Sequence, residues 1–229
     1  MLFENRDTGE LVNVDMHEKR LRHRRRRIVA WARAIDDGLD KDKIKMELVR
    51  LSYRPGEQWE PYDIRDYCSR VRELLGEALL AYAWVGELHK SGKVHYHVLL
   101  VVEKGTYVPY MDKEGIWEKG STRVERANKP WYLVSYVKRK GGEKEYQSRD
   151  EYPRYMHIHS VWIRKGAIKK NLMWRLRLST LPYWLERLLR EGGEQLEGVI
   201  PERDGIGSWW IGNRCCGWYE FCEWRMVYL

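Results

Sequence analysis

The sequence predicts an α+β fold: an antiparallel sheet with packed helices, flanked by N- and C-terminal helical extensions. Three observations predict it. Short β-rich apolar segments recur along the chain, an amphipathic helix with an unbroken i, i+3, i+4 stripe separates the first two, and a three-residue Gly-ended link joins the second to the third as a hairpin. The resulting order is strand, helix, strand, strand, strand, helix, strand. It occupies a core of residues 43–170, preceded by a basic helical extension, 1–42, and followed by a helical, aromatic and Cys-rich extension, 171–229.

Residues 16–37 place Leu21, Ile28, Trp31 and Ile35 at helical spacing around the run KRLRHRRRR, residues 19–27. Seven Arg or Lys in nine positions repel one another unless an anion lies against them. Arg24, Arg25, Arg26 and Arg27 are therefore candidate nucleic-acid contacts, against the plainer reading of a solvated helix face. Residues 38–43 read as a linker. A strand at 44–53 carries Arg50, a further candidate contact, and stops at Arg54-Pro55-Gly56. Residues 63–78 form the clearest helix, with Asp63 as its expected cap and Ile64, Tyr67, Cys68, Val71, Leu74, Leu75 and Ala78 as its stripe. Strands at 79–89 and 93–102 flank Lys90-Ser91-Gly92. A strand at 122–126, a helix at 129–140 and a strand at 154–164 complete the core, and helical stretches at 172–178 and 182–190 precede a Gly-, Trp- and Cys-rich tail.

Composition narrows the function. Lys+Arg 42 against Asp+Glu 34 leaves a net charge of +8, which favours a polyanionic partner. Trp 12 and Tyr 15 against Phe 2 means that most rings carry a polar handle. The longest uninterrupted apolar run, residues 78–86, falls well short of the ~20 residues that cross a bilayer. The first residues are acidic where a secretion signal is basic, so the expected location is the cytoplasm of a host cell, with no membrane partner. Cys68, Cys215, Cys216 and Cys222 lack paired C-x-x-C spacing and read as reduced thiols.

Within the hairpin, His95 and His97 are two apart on a strand and project from one face. The Gly92 closure pairs His89 with Lys93 and therefore Glu87 with His95, which puts a carboxylate beside the two imidazoles. That donor set suits Mn²⁺ or Mg²⁺, ahead of Zn²⁺, with positions left for water and phosphate. His89, at the hairpin end, is a reserve ligand or a DNA contact. The bland reading is a pair of hydrogen-bonded strand histidines. His157 and His159 repeat the pattern without an acidic companion and read as DNA contacts or sheet surface. GELHKSGKV has five residues between its glycines and Val after its Lys, so it is not a phosphate loop.

Asn128, Pro130 and Gly141 bracket the helix ANKPWYLVSYVKRKGG. At 100° per residue Trp131, Val134 and Val137 take one side, and Tyr132, Ser135, Tyr136, Arg139 and Lys140 take the other. Cations beside a phenol favour the phenolate needed for attack on phosphorus, although an amphipathic helix with surface tyrosines has the same spacing. Tyr136 is the preferred nucleophile, because Arg139 and Lys140 follow it within a turn. Tyr132, followed three residues on by the uncharged Ser135, is a candidate second one.

Glu87, a His-apolar-His pair eight positions on, and a downstream helical Tyr followed by Arg and Lys resemble the HUH endonucleases, specifically the rolling-circle replication initiators (Rep) of small plasmids and viruses. The likeness covers residues 44–164. It implies an RRM-like or ferredoxin-like five-stranded sheet, one divalent ion on two histidines and a third polar ligand, and tyrosine attack on single-stranded or hairpin origin DNA that leaves a 5′-phosphotyrosine link and a free 3′-OH. Two segments depart from the family pattern: a usually Thr-rich strand reads VRLSY, and the Tyr-x-x-Lys motif reads YVKRK. No Walker sequence is present, so helicase and polymerase are expected from the host. A single-strand transposase of the same superfamily and a non-catalytic sheet that stacks bases on its rings are the competing readings.

Overall fold

The structure, a computed structural model, describes residues 2–5, 11–13, 16–88, 93–137, 156–181, 189, 202–203, 209–211, 214–217 and 224–227. In chain order the elements are β1 (Leu2–Asn5), β2 (Leu11–Asn13), α1 (Met16–Gly38), β3 (Ile44–Tyr53), α2 (Asp63–Leu75), β4 (Leu79–Leu88), β5 (Val94–Glu103), β6 (Gly120–Ala127), α3 (Trp131–Val134), β7 (His159–Ile163), α4 (Lys170–Leu178), β8 (Glu202–Arg203), β9 (Trp209–Ile211), β10 (Arg214–Gly217) and β11 (Trp224–Val227). Single 3-10 turns, Gly76–Ala78 and Ser135–Val137, follow α2 and α3. Contacts divide the chain into two units, Arg24–Lys169 and a second made of Met1–His23 with Lys170–Leu229, so that α1 runs from one into the other.

The Arg24–Lys169 unit is built on one five-stranded sheet in the order β6-β3-β5-β4-β7, antiparallel at every pairing. The α+β expectation therefore holds. Burial explains why β5 is central: Val98, Leu99, Leu100, Val101 and Val102 are all fully buried, as expected of a strand covered on both faces. One face is aromatic. Tyr53, Trp84 and Tyr96 pack there with Trp117, and Tyr67 of α2 meets Trp117 edge to face at 6.0 Å. The stripe Ile64, Tyr67, Cys68, Val71 and Leu75 is buried, as its spacing requires. Burial also pushes the Cys68 thiol up to about 12, which leaves it protonated and inert. The second half of α1 buries Ile28, Trp31 and Ile35. Gly120 permits the close approach of β6 to β3, since a Cβ there would lie 1.9 Å from the Ser52 carbonyl oxygen.

Three local expectations change. Asp63 does not cap α2; its Oδ2 instead accepts the Tyr53 hydroxyl and the Glu60 N–H, both at 2.8 Å, so the carboxylate ties the preceding loop to β3. The strand expected at 154–164 begins at His159, preceded by one further bond from Gly86 N–H to the Ile158 carbonyl at 3.0 Å; residues 154 and 155 lie outside the described residues. The helix expected at 129–140 is one α-turn and one 3-10 turn through Val137, beyond which the chain is not described. Its start is set by Pro130 at φ −65°, with no side-chain cap from Asn128.

In the other unit, α4 forms where a helix was expected and buries Leu172, Leu176 and Leu178. The first residues and the tail add strands that the sequence did not announce, in two three-stranded sheets ordered β11-β1-β2 and β10-β9-β8. With two to four residues each, these strands are too short to display a period of two. The helical stretch expected at 182–190 lies outside the described residues apart from residue 189. Among the described residues no helix is long and apolar enough to cross a membrane.

Candidate functional site

The polar site is a consequence of register. β4 pairs Glu87 with His95 and Val85 with His97, the pairing expected from the hairpin closure. On the other side of β5, Ser52 pairs with His95 and Arg50 with His97, and β6 adds Ser121 opposite Ser52 and Arg123 opposite Arg50. Directly opposed residues project to the same side, so these groups share one face at the end of the sheet where β4 finishes and β5 begins. Further along, the same face is apolar: Leu99, Val101, Ala81, Ala83, Leu48 and Met46 are buried.

His97 is at the centre of the polar end and is only 8% exposed. Its Nε2 lies 2.9 Å from Glu87 Oε2, and its Nδ1 is buried without a hydrogen-bond partner. The bond to a carboxylate puts the ring proton on Nε2 and leaves the Nδ1 lone pair available to a cation. His95 Nδ1 lies 3.2 Å from Ser52 Oγ. The pairing of carboxylate and histidine is thus the expected one, but among the described residues no three His, Cys, Asp or Glu side chains converge closely enough to hold a metal ion as they stand. The donor chemistry and the orphaned Nδ1 fit a divalent cation, with Glu87 drawn onto His97 and His95 facing Ser52.

The Tyr136 ring lies over this histidine, with centroids 3.9 Å apart and planes 23° from parallel. Tyr132 meets Tyr136 near edge-on at 5.9 Å and is 44% exposed. Two features hold the helical turn in place. Leu133, Val134 and Val137 are buried beneath it, and Trp131 Nε1–H donates to Asp36 Oδ2 of α1 at 3.1 Å. Asp36 also pairs with Lys41 at 2.8 Å, and the Lys41 and Trp131 hydrogen bonds hold its carboxyl below the usual range.

The electrostatics around Tyr136 correct one expectation. Cations were expected to favour the phenolate, but burial, the hydrogen bond and charge of Tyr132, and the Glu87 carboxylate all push this phenol well above its ordinary value. Arg50 acts in the opposite direction. Arg50 was assigned to nucleic acid from sequence; it sits in the site itself, its Nη2 2.7 Å from Glu125 Oε2 and its Nε buried without a partner. Arg123 Nε reaches the other oxygen of Glu125, also at 2.7 Å, so one carboxylate holds two guanidinium groups in the row beside His97.

The arginines of α1 divide. Arg24 was grouped with the phosphate contacts, yet it is buried and its Nη1 donates to the Gly86 carbonyl at 3.3 Å, one residue before Glu87. Its position on the helix turns it toward the sheet. Arg25 is exposed, and Arg26 and Arg27 are partly so, with burial lowering the Arg27 pKa. His89, Arg139 and Lys140 lie outside the described residues. His159 opens β7 opposite Val85, and His157 is exposed just before it. Ser52, Arg123 and Glu125 are the members that the sequence reading passed over. Their signal was the spacing by two in Arg50-x-Ser52 and Arg123-x-Glu125, whose meaning depends on which strands flank β5.

No curated protein and no solved structure matches the chain. Residues 47–141, the segment that runs from β3 through α3 and carries Arg50, Ser52, Glu87, His95, His97, Tyr132 and Tyr136, match the family model of the replication-associated protein ORF2, and in this segment the chain is similar to those replication proteins.

Proposed function

We propose that the chain is a replication initiator of the HUH kind, which nicks single-stranded or hairpin DNA at an origin and rejoins strands through Tyr136. The observation that carries this reading is the Tyr136 ring stacked on His97, itself bonded to Glu87, inside the segment similar to replication-associated proteins. The Tyr136 oxygen forms a bond to the scissile phosphorus as the bond from phosphorus to the 3′ oxygen breaks. The phenolic proton passes to solvent, and the leaving 3′ oxygen takes one up, giving a 5′-phosphotyrosine link and a free 3′-OH. Attack of a 3′-OH on that link reverses the step and rejoins DNA, and Tyr132 serves as a second nucleophile.

Glu87, His95 and His97 are the residues that would hold Mn²⁺ or Mg²⁺, which when bound supplies Lewis-acid polarisation of the phosphate. The chain's own contributions are positional and electrostatic. Arg50 stands next to Tyr136 and favours its ionised form, against the burial that opposes it. The exposed α1 arginines supply sequence-independent affinity for the DNA backbone. Helicase and polymerase are host partners in this scheme.

The test is incubation with Mn²⁺ and an end-labelled hairpin oligonucleotide library. A labelled product that migrates with the protein after denaturation supports the proposal. Intact DNA bound by the protein would leave a base-stacking module in its place.

A further inference from the structure

We infer a second nucleic-acid subsite, on the opposite face of the same end of the sheet, that takes an unstacked nucleobase from the strand lying at the Tyr136 site. The identity of that strand rests on the nicking proposal; the existence of the subsite does not. The feature is a cleft of about 380 Å³ lined by Tyr53, Glu57, Gln58, Trp59, Pro61 and Lys93, with Val94 behind them. That volume suits one ring system with its sugar and is small for a peptide strand.

Its place in the sheet connects it to the site. Ser52 and His95 face the histidine cluster, and successive strand residues point to opposite sides. Tyr53 follows Ser52 and Val94 precedes His95, so each wall of the cleft is one residue from a wall of the site. A single strand that crosses the end of the sheet reaches both.

The lining has the chemistry of single-strand recognition. Tyr53, Trp59 and Pro61 offer flat apolar surface for the face of a base, which stacks without regard to sequence. Glu57 and Gln58 offer hydrogen bonds to its edge. Lys119 holds Glu57 through Oε1 at 3.1 Å, so that Oε2 remains for an N–H of the base. Lys93 has no acidic partner among the described residues and suits a phosphate. The loop that carries Glu57 to Pro61 is preorganised by the Asp63 bonds to Tyr53 and Glu60 and by the Glu57 N–H to the Arg54 carbonyl at 3.2 Å.

Photo-crosslinking tests this with the full chain. Single-stranded oligonucleotides of randomised sequence containing 5-bromodeoxyuridine are bound, irradiated and mapped by mass spectrometry, and parallel samples with Mn²⁺ are scored for protein-linked cleavage product. The expected result is a crosslink at Trp59 or Tyr53. In the absence of divalent cations, Trp59→Ala should weaken binding about tenfold by fluorescence anisotropy and Trp59→Phe should retain most of it. Lys93→Ala provides the control for folding: it should weaken binding and flatten the salt dependence with an unchanged melting temperature. Cleavage product without a crosslink in the cleft, together with wild-type binding by Trp59→Ala and Lys93→Ala, overturns the subsite and leaves the nicking proposal standing. A crosslink at Trp59 with no cleavage product supports the subsite and removes the nicking proposal.

Discussion

Two His-apolar-His segments reach the same face of the same sheet, and only one of them lies in a chemical setting. The row Arg123, Arg50, His97, Val85, His159 crosses all five strands, with the two histidines separated by one valine. His97 is on the central strand, buried, with a carboxylate at 2.9 Å and a tyrosine ring over it. His159 begins an edge strand opposite Val85, and its companion His157 precedes the strand altogether. The motif is the same; the strand that bears it decides what surrounds it. A central strand has neighbours on both sides to supply Glu87, Ser52 and Arg50 in register, and an edge strand has half as many.

The sharpest way to break that contrast is to truncate each histidine. His97→Ala should lower cleavage of a hairpin oligonucleotide by about a thousandfold or more while DNA binding persists, and His159→Ala should lower it by less than about threefold. Equal losses would put the two pairs on the same footing. The next variant separates the two halves of β5. Leu99→Ala, two residues from His97 in the fully buried stretch, should cost about 2–5 kcal/mol in denaturant unfolding, because the surrounding strands cannot close the cavity. His97→Ala should cost under about 1.5 kcal/mol, since Glu87 is then left able to reach water.

A smaller effect is expected at the clamp behind Tyr136. Asp36→Asn should remove about 1–2 kcal/mol by weakening its charged hydrogen bonds with Lys41 and Trp131. Because the Asp36 pKa is lowered by folding, its stabilisation is present above the ordinary carboxylate value of about 3.9 and is lost as pH falls through the lower folded value. Wild type should therefore lose more of its melting temperature than Asp36→Asn between neutral pH and about pH 3. The smallest effect divides the α1 arginines. Arg25→Ala should weaken DNA binding a few-fold and reduce its salt slope by about one, whereas Arg24→Ala should lower stability with little change in that slope. A slope that responds to Arg24 would return it to the DNA-facing group.

The sheet was legible because its strands are long enough to be read locally. Residues 44–53 were expected as a strand and are one, and the hairpin closure fixed Glu87 against His95. The i, i+3, i+4 stripe of α2 was legible for the same reason. Strand order was not, since nothing near Arg50 or Glu125 states that their strands flank the histidines. The inward turn of Arg24 was hidden by its basic neighbours, and the Asp63 bonds by a cap position that would have satisfied the same residue type. The protonated state of Tyr136 escaped because burial and Tyr132, both tertiary effects, outweigh any cation that sequence spacing supplies.

The central claim is that the ring over His97 is the attacking group. Its most direct measurement is mass-spectrometric mapping of the DNA-linked residue in wild type, Tyr136→Phe and Tyr132→Phe. The account predicts an adduct on Tyr136 in wild type, no first-cleavage adduct in Tyr136→Phe and a nearly normal one in Tyr132→Phe. An adduct confined to Tyr132, undiminished in Tyr136→Phe, would contradict it.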